Sequence, residues 1–491
     1  MTVPATIPPQ LWREDLFING EWVGRDARFA VINPATRAAI AEVAKGSADD
    51  TRAAIAAAQA AKPAWAALPA RARAAIIRRW HDLIVQHADA LARILTLEQG
   101  KPLAEARAEI LYGAAFFDWY ADEAKRLYGD IIPSYAADRR LLALRQPIGV
   151  VGAITPWNFP MAMIPRKAAP ALAAGCTMVL KPASATPLSA LALAALATEA
   201  GVPPGVFNVI PGGAADVGNT LVDDPRVQKI TFTGSTEVGR ALMARASATI
   251  KKLSLELGGN APVLVFDDAD LETAVAGTIA TKFRNMGQTC VCANRIYVQA
   301  GIHDRFVEAL GRAVAAMPVG DGLADGIVQG PLIDDEAVAK CERHIGDAVA
   351  RGARIVTGGK RHTLGGSFFE PTVLAGATHA MLIAAEETFG PVAPVFRFET
   401  EAQALAMAND TEYGLAAYLF TTDHGRIWRV GEALEYGIVG VNTGATSYEG
   451  APFGGWKQSG LGREGGHEGI AEFLETKYMC IAGIAPQDQA R

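Results

Sequence analysis

Residues 284–292 read Arg-Asn-Met-Gly-Gln-Thr-Cys-Val-Cys, and the thiol of Cys290 is a nucleophile candidate. A cysteine attacks as its thiolate, so it needs surroundings that lower its pKa. Cys290 follows the glycine-bearing turn Gly287-Gln288-Thr289, just where the helical run TAVAGTIATKF ends. Cys292 is too close to share a metal in the usual zinc spacing and no histidine lies nearby, so no metal is expected. From these residues alone the pair also reads as simple packing. Cys176, Cys341 and Cys480 sit in apolar or helical contexts, where a thiol serves as a small hydrophobe.

Two more groups complete a possible reaction centre. In Leu255-Glu256-Leu257-Gly258-Gly259 the carboxylate lies in an apolar strand, where burial is costly unless the group is paired or used. Beside a cysteine nucleophile, Glu256 could be the general base that activates water. Thr155-Pro156-Trp157-Asn158-Phe159-Pro160 follows the apolar run IGVVGAIT, at the strand end where wound folds place ligands. Its Asn158 offers an amide donor suited to an oxyanion.

The elements that must hold these groups read as α/β. From Pro147 onward, short apolar runs (IGVVGAIT, CTMVLKP, VFNVIPG, KITFTG, APVLVFD) alternate with Ala-rich helical stretches, which predicts a doubly wound parallel sheet. A second alternating series runs from about Asn260 to Gly444. Asp49-Asp50 is expected to cap a long helical region that ends at Gly100-Lys101-Pro102. The strand VQKITF runs through Gly234-Ser235 into a helix, a candidate anion site at the helix start. The one G-x-G-x-x-G, Gly460 to Gly465, follows polar residues and is read as a loop. The segments 131–146 and 473–484 are β-like but fit no βα unit; they read equally as an edge hairpin or a subunit contact.

At 491 residues the chain is too long for a single core. A net charge of −6, with no local basic run, argues against nucleic-acid binding. No membrane span or signal peptide is visible, and few cysteines suit a reducing compartment, so a cytoplasmic protein is expected.

Taken in order, Pro156-Trp157-Asn158-Phe159-Pro160, Lys181-Pro182, Phe232-Thr-Gly-Ser235, Glu256-Leu-Gly-Gly, Gly287-Gln288-x-Cys290, Glu387-x-Phe389-Gly390-Pro391 and Asn442 with Pro452-Phe-Gly-Gly455 resemble the aldehyde dehydrogenase superfamily. KFRNMGQTCVCANR and FGGWKQSGLGREGG read like its succinate-semialdehyde dehydrogenase group. The resemblance implies an NAD(P)-binding domain over 1–129 and 147–255, a catalytic domain over 256–441, and oligomerisation segments at 130–146 and 470–491 of a dimer or tetramer. It implies Cys290 as nucleophile, Glu256 as base and Asn158 as oxyanion donor, with Lys167 and Glu475 in support. For the cofactor it implies Thr155, Pro156, Trp157, Lys181, Ser184, Gly234, Ser235, Glu387 and Phe389. Related enzymes that prefer NAD often carry an acid at the position of Ser184, so NADP is expected to be used well, with NAD as the alternative. Arg166, Arg284 and Ser447 match residues that hold a substrate carboxylate, and guanidinium groups suit that task physically. Succinate semialdehyde is the leading substrate, with glutarate semialdehyde and other ω-oxo acids behind it. Cys292 is a candidate redox partner of Cys290. A thiol hydrolase or a non-catalytic homologue is the alternative of a different class.

Overall fold

The structure, a computed structural model, describes residues 4–484. Five strands run parallel in the spatial order Phe207–Val209, Thr177–Lys181, Val150–Ile154, Val227–Thr233 and Lys252–Glu256. Val150–Ile154 and Thr177–Lys181 are buried at every position, which is why these segments read as continuous apolar runs rather than alternating ones. Antiparallel strands close both edges: Leu16–Ile18 with Glu21–Val23 on one side, Gly460–Leu461 on the other.

The last strand corrects the sequence expectation. The segment read as a loop brings the chain back from residue 460 to pair Leu255 with Leu461 and Glu256 with Gly460. The two-residue strand is too short to carry a periodic signal. A second correction concerns the N-terminal helices. Ser47, not the aspartates, caps the first, and Asp50 closes a reciprocal capping box. Pro69 and His87 divide the run into Ala48–Ala67, Ala70–Gln86 and Ala88–Gln99.

A second, seven-stranded sheet carries the residues after Glu256, with Ala293–Gln299 near its middle between Ala261–Val265 and Val392–Phe398. Arg140–Pro147 is the central strand of a three-stranded antiparallel sheet, paired along its length with Leu474–Ile481 and, at one end, with Asp130–Ile132. Tyr128, Ile131, Tyr135 and Tyr478 on and beside this sheet are exposed. Residues 485–491 of the predicted C-terminal segment lie outside the described residues.

Candidate active site

Cys290 stands after a backbone that three successive left-handed residues bend sharply: Asn285, Met286 and Gly287 have φ of 51°, 57° and 72°. The two non-glycine members cost of order 1 kcal/mol each or more, so their surroundings must hold them there. Gly287 is irreplaceable on space as well, since a Cβ would lie 2.3 Å from the Gly390 carbonyl. On the facing side Gly258 and Gly259 admit the site. A Cβ on Gly259 would lie 2.4 Å from the Cys290 carbonyl oxygen, and one on Gly258 would lie 2.9 Å from Glu387 Oε2.

Asn158 is buried and its Nδ2 donates to the Gln288 carbonyl at 2.9 Å, two residues before Cys290. One amide hydrogen is spent on this anchor and the second is left for a substrate oxygen. Glu256 ends its strand beside Thr233, its register partner, and is buried with Oε2 lacking any hydrogen-bond partner among the described residues. Burial pushes this carboxyl well above its ordinary value, and the neighbouring Glu464 adds to the rise against Arg166 and Lys167. Burial also pushes the Cys290 thiol up to about 12, opposed chiefly by the Arg166 charge. Burial thus opposes the ionisation of both groups, and the thiol must lose its proton before the sulfur can attack.

Glu464 is the residue that sequence reasoning missed. Lys167 Nζ binds its Oε1 and donates to Thr233 Oγ1 at 2.6 Å. Arg166 Nε lies 2.8 Å from Glu464 Oε2, an ion-pair contact in a nearly dry setting. These charges hold Glu464 ionised, below its usual range despite burial. Glu475, expected in this supporting role, is instead exposed on Leu474–Ile481 and pairs with Lys252 at 2.8 Å. The glutamate that does contact Lys167 lies in Gly-Leu-Gly-Arg-Glu464-Gly, the stretch read as a loop; an ionisable residue flanked by glycines is the available signal.

A cavity of about 340 Å³ opens next to the thiol, lined by Thr289 and Val291 on either side of Cys290 and by Tyr112, Arg284, Tyr418 and Ser447. The Arg284 guanidinium lies 4.9 Å from the Phe159 ring and forms no salt bridge among the described residues, though its charge helps to lower the pKa of the buried Glu105. Arg166 is different: it does not line this cavity. It rests 4.0 Å over the Phe453 ring, committed to Glu464, with Nη2 buried and unpartnered among the described residues. Of the two predicted arginines, Arg166 is thus held in a salt bridge and Arg284 in none among the described residues.

On the far side, Lys181 is buried, its Nζ reaching only the Pro182 carbonyl at 3.2 Å, and burial lowers its pKa to about 8. The exposed Ser184 donates to the Gly212 carbonyl. Ser235 caps the Thr236–Ala246 helix, with Gly234 before it. Glu387, its pKa raised by burial to about 7, accepts the Gly259 N–H at 3.1 Å. Trp157 and Phe389 meet edge to face at 5.6 Å, and Phe389 holds a φ of 55°. Thr155 and Pro156 form the start of this rim, with the Thr155 hydroxyl unpartnered among the described residues. An under-partnered lysine, a capped helix start and a free-standing glutamate suit phosphate and ribose hydroxyls. Cys292 is buried, with Sγ 3.2 Å from the Lys282 carbonyl, and is not bonded to Cys290.

Residues 22–479 match the family described as the aldehyde dehydrogenase family. The chain is 61% identical over 473 residues, 96% of this chain and 98% of the other, to the succinate-semialdehyde dehydrogenase [NADP(+)] GabD of Escherichia coli K12. It is 58% identical over 477 residues, 97% of this chain and 99% of the other, to a glutarate-semialdehyde dehydrogenase of Pseudomonas aeruginosa. The crystal structure of a succinate-semialdehyde dehydrogenase from Burkholderia pseudomallei superposes with a TM-score of 0.97 at 56% identity, covering 98% of this chain and all of that one.

Proposed function

We propose, on the premise that this chain belongs to the aldehyde dehydrogenase family, that it oxidises a small ω-oxo acid, first of all succinate semialdehyde, with NADP as the favoured acceptor and NAD as the second. The observation that carries the substrate class is the unpaired Arg284 on the wall of the cavity beside Cys290. A carboxylate there meets a planar donor that no salt bridge among the described residues already holds, and Ser447 and Tyr112 on the same wall add hydroxyls. Arg166 keeps Glu464 and offers its spare Nη2. A glutarate chain is the second reading, supported by relatives of that activity at 58% identity.

The residues then act in sequence. Cys290 loses its proton and its sulfur adds to the aldehyde carbon. The free Asn158 amide hydrogen receives the oxyanion, a contact worth roughly 3–4 kcal/mol for one well-placed donor. The nicotinamide, when bound, supplies the hydride acceptor, and Cys290 is left carrying a thioester. Lys181 and Ser184 face the ribose and its 2′-phosphate without an acidic group to repel it, while Glu387 receives ribose hydroxyls. Glu256, once ionised, takes a proton from water, which attacks the thioester, and the acid leaves with the thiol restored. Lys167 and Glu464 hold this base in an asymmetric field. Of the cofactor residues, Thr155 to Ser235 fall within 147–255, while Glu387 and Phe389 fall within 256–441 with the nucleophile. The exposed three-stranded sheet is the surface through which subunits pair as a dimer or tetramer, in the cytoplasm.

Steady-state rates for straight-chain semialdehydes of two to six carbons, each with NAD and NADP, test this reading. The reading fails if the four-carbon and five-carbon semialdehydes do not lead the series or if NADP is more than tenfold poorer than NAD.

A further inference from the structure

We infer that Lys101 and Glu109, assisted by Gln99, are positioning residues that fix the oxyanion donor and the nucleophile turn from outside the active site. The inference rests on the role proposed for Asn158. Lys101 Nζ donates to the Asn158 carbonyl at 2.8 Å, binds Glu109 Oε2, and stands 3.8 Å over the Phe159 ring. Glu109 Oε1 accepts the N–H groups of Met161 and Ala162 at 3.0 and 3.1 Å. Apart from the bond between them, every side-chain hydrogen bond of this pair among the described residues goes to residues 158–162.

The same stretch reaches the other half of the site. Gln99 Oε1 accepts the Lys101 N–H, and Gln99 Nε2 donates to Asn285 Oδ1 at 2.9 Å. Asn285 Nδ2 donates to the Asn158 carbonyl at 2.9 Å, so that one oxygen takes two donors. With both lone pairs used, the peptide plane carrying Asn158 cannot tilt, and the side-chain amide keeps its aim. Glu105 Oε2 accepts the Asn285 N–H at 2.9 Å and braces the left-handed turn directly.

A pair of charges with relative exposures of 1% and 0% is a poor device for stability, because apolar side chains of like volume serve as well or better. Its partners explain its presence. An irregular loop and a strained turn must keep their backbone groups bonded without a sheet or helix to do it, and Gln99 to Glu109 supplies those bonds.

The test is a double-mutant cycle on the full-length enzyme. Asn158→Ala is made in the wild type and in Lys101→Met/Glu109→Gln, a change that removes both charges at nearly constant volume. With saturating NADP, the pair variant is expected to melt as a folded protein, to bind NADP normally, and to lose about tenfold or more in kcat with KM changed by less than about threefold. Asn158→Ala is expected to cost about a hundredfold in the wild type and about tenfold or less in the pair background. An undiminished loss in the pair background, or a pair variant with kcat within about threefold of wild type, overturns the inference alone. A wild-type Asn158→Ala that keeps its kcat overturns the oxyanion assignment and the inference with it. Should the pair variant fail to fold, Gln99→Met decides: a drop in kcat of about fivefold or more supports the inference, and a smaller one refutes it.

Discussion

Replacing Arg284 by alanine separates recognition of the substrate's charge from the chemistry on its aldehyde. The guanidinium lines a cavity of about 340 Å³ and forms no salt bridge among the described residues; the buried Glu105, whose pKa it helps to lower, keeps the charge of Lys101 and the Asn285 N–H as its larger supports. What it gives up inside the protein is a ring contact at 4.9 Å to Phe159, worth roughly 0.5–1 kcal/mol. Tm is therefore expected to move by only a few degrees. A bound carboxylate would lose its charged partner, which for a desolvated pair costs roughly 2–5 kcal/mol. Arg284 is half-buried, so the low end applies, about 2–3 kcal/mol. At 1.4 kcal/mol per tenfold this is a drop of about thirty- to a hundredfold in kcat/KM for succinic semialdehyde. Butanal, of similar length but uncharged, should change by less than about threefold. Reduced-cofactor absorbance gives both numbers in one assay. Equal losses on the two substrates, or no loss on either, would refute carboxylate recognition by Arg284.

Three further outcomes follow from the groups around it. Glu256→Gln should release about one equivalent of reduced cofactor per site in a burst and then run at least a hundredfold slower, since thioester hydrolysis loses its base; a uniform slowing with no burst would place the residue elsewhere in the cycle. Because burial holds Lys181 at about 8, the cation that faces a 2′-phosphate is present below that pH and lost above it. The Kd for NADP, measured by fluorescence titration, should rise between pH 7 and 9 more steeply than that for NAD, and parallel curves would contradict the contact. Peroxide converts a thiol to a sulfenic acid that a neighbouring thiol captures as a disulfide with loss of water. Wild-type enzyme inactivated in this way should recover in dithiothreitol and Cys292→Ala should not; equal recovery removes Cys292 from the role of redox partner.

The groups that do bond-making chemistry were legible because each sits in a short contiguous motif: a cysteine after a glycine turn, a glutamate before paired glycines, an asparagine between prolines. The wound sheet was legible from its buried, unalternating strands. What positions these groups was not. Lys101 meets Asn158 across 57 residues of chain and Gln99 meets Asn285 across 186, and no local pattern encodes such pairings. Gly100-Lys101-Pro102 reads as a helix stop, and it is one, with Gly100 at φ 94°; the lysine's second task is invisible beside the first. Glu464 was hidden differently, inside a glycine spacing whose dinucleotide reading failed and whose carboxylate then went unweighed. Glu475 comes from the resemblance alone, yet it lies on an exposed strand with charges at alternate positions, Glu475 and Lys477, which is a surface element.

The charge balance also changes what Arg166 can do. Glu256, Glu387 and Glu464 all lie close to one reaction centre, and only Glu464 is paired with cations. Arg166 is the principal charge lowering the Cys290 thiol and, after burial, the principal charge raised by Glu464. An incoming substrate carboxylate that draws on Arg166 therefore weakens the hold on Glu464 and the support for the thiolate together. A site that relied on Arg166 alone for recognition would oppose its own chemistry. Recognition by Arg284, on the wall of a cavity that Arg166 does not line, would let the anion bind while Arg166 stays with Glu464. The proposed division of labour gives the recognition chiefly to one arginine, six residues ahead of the proposed nucleophile.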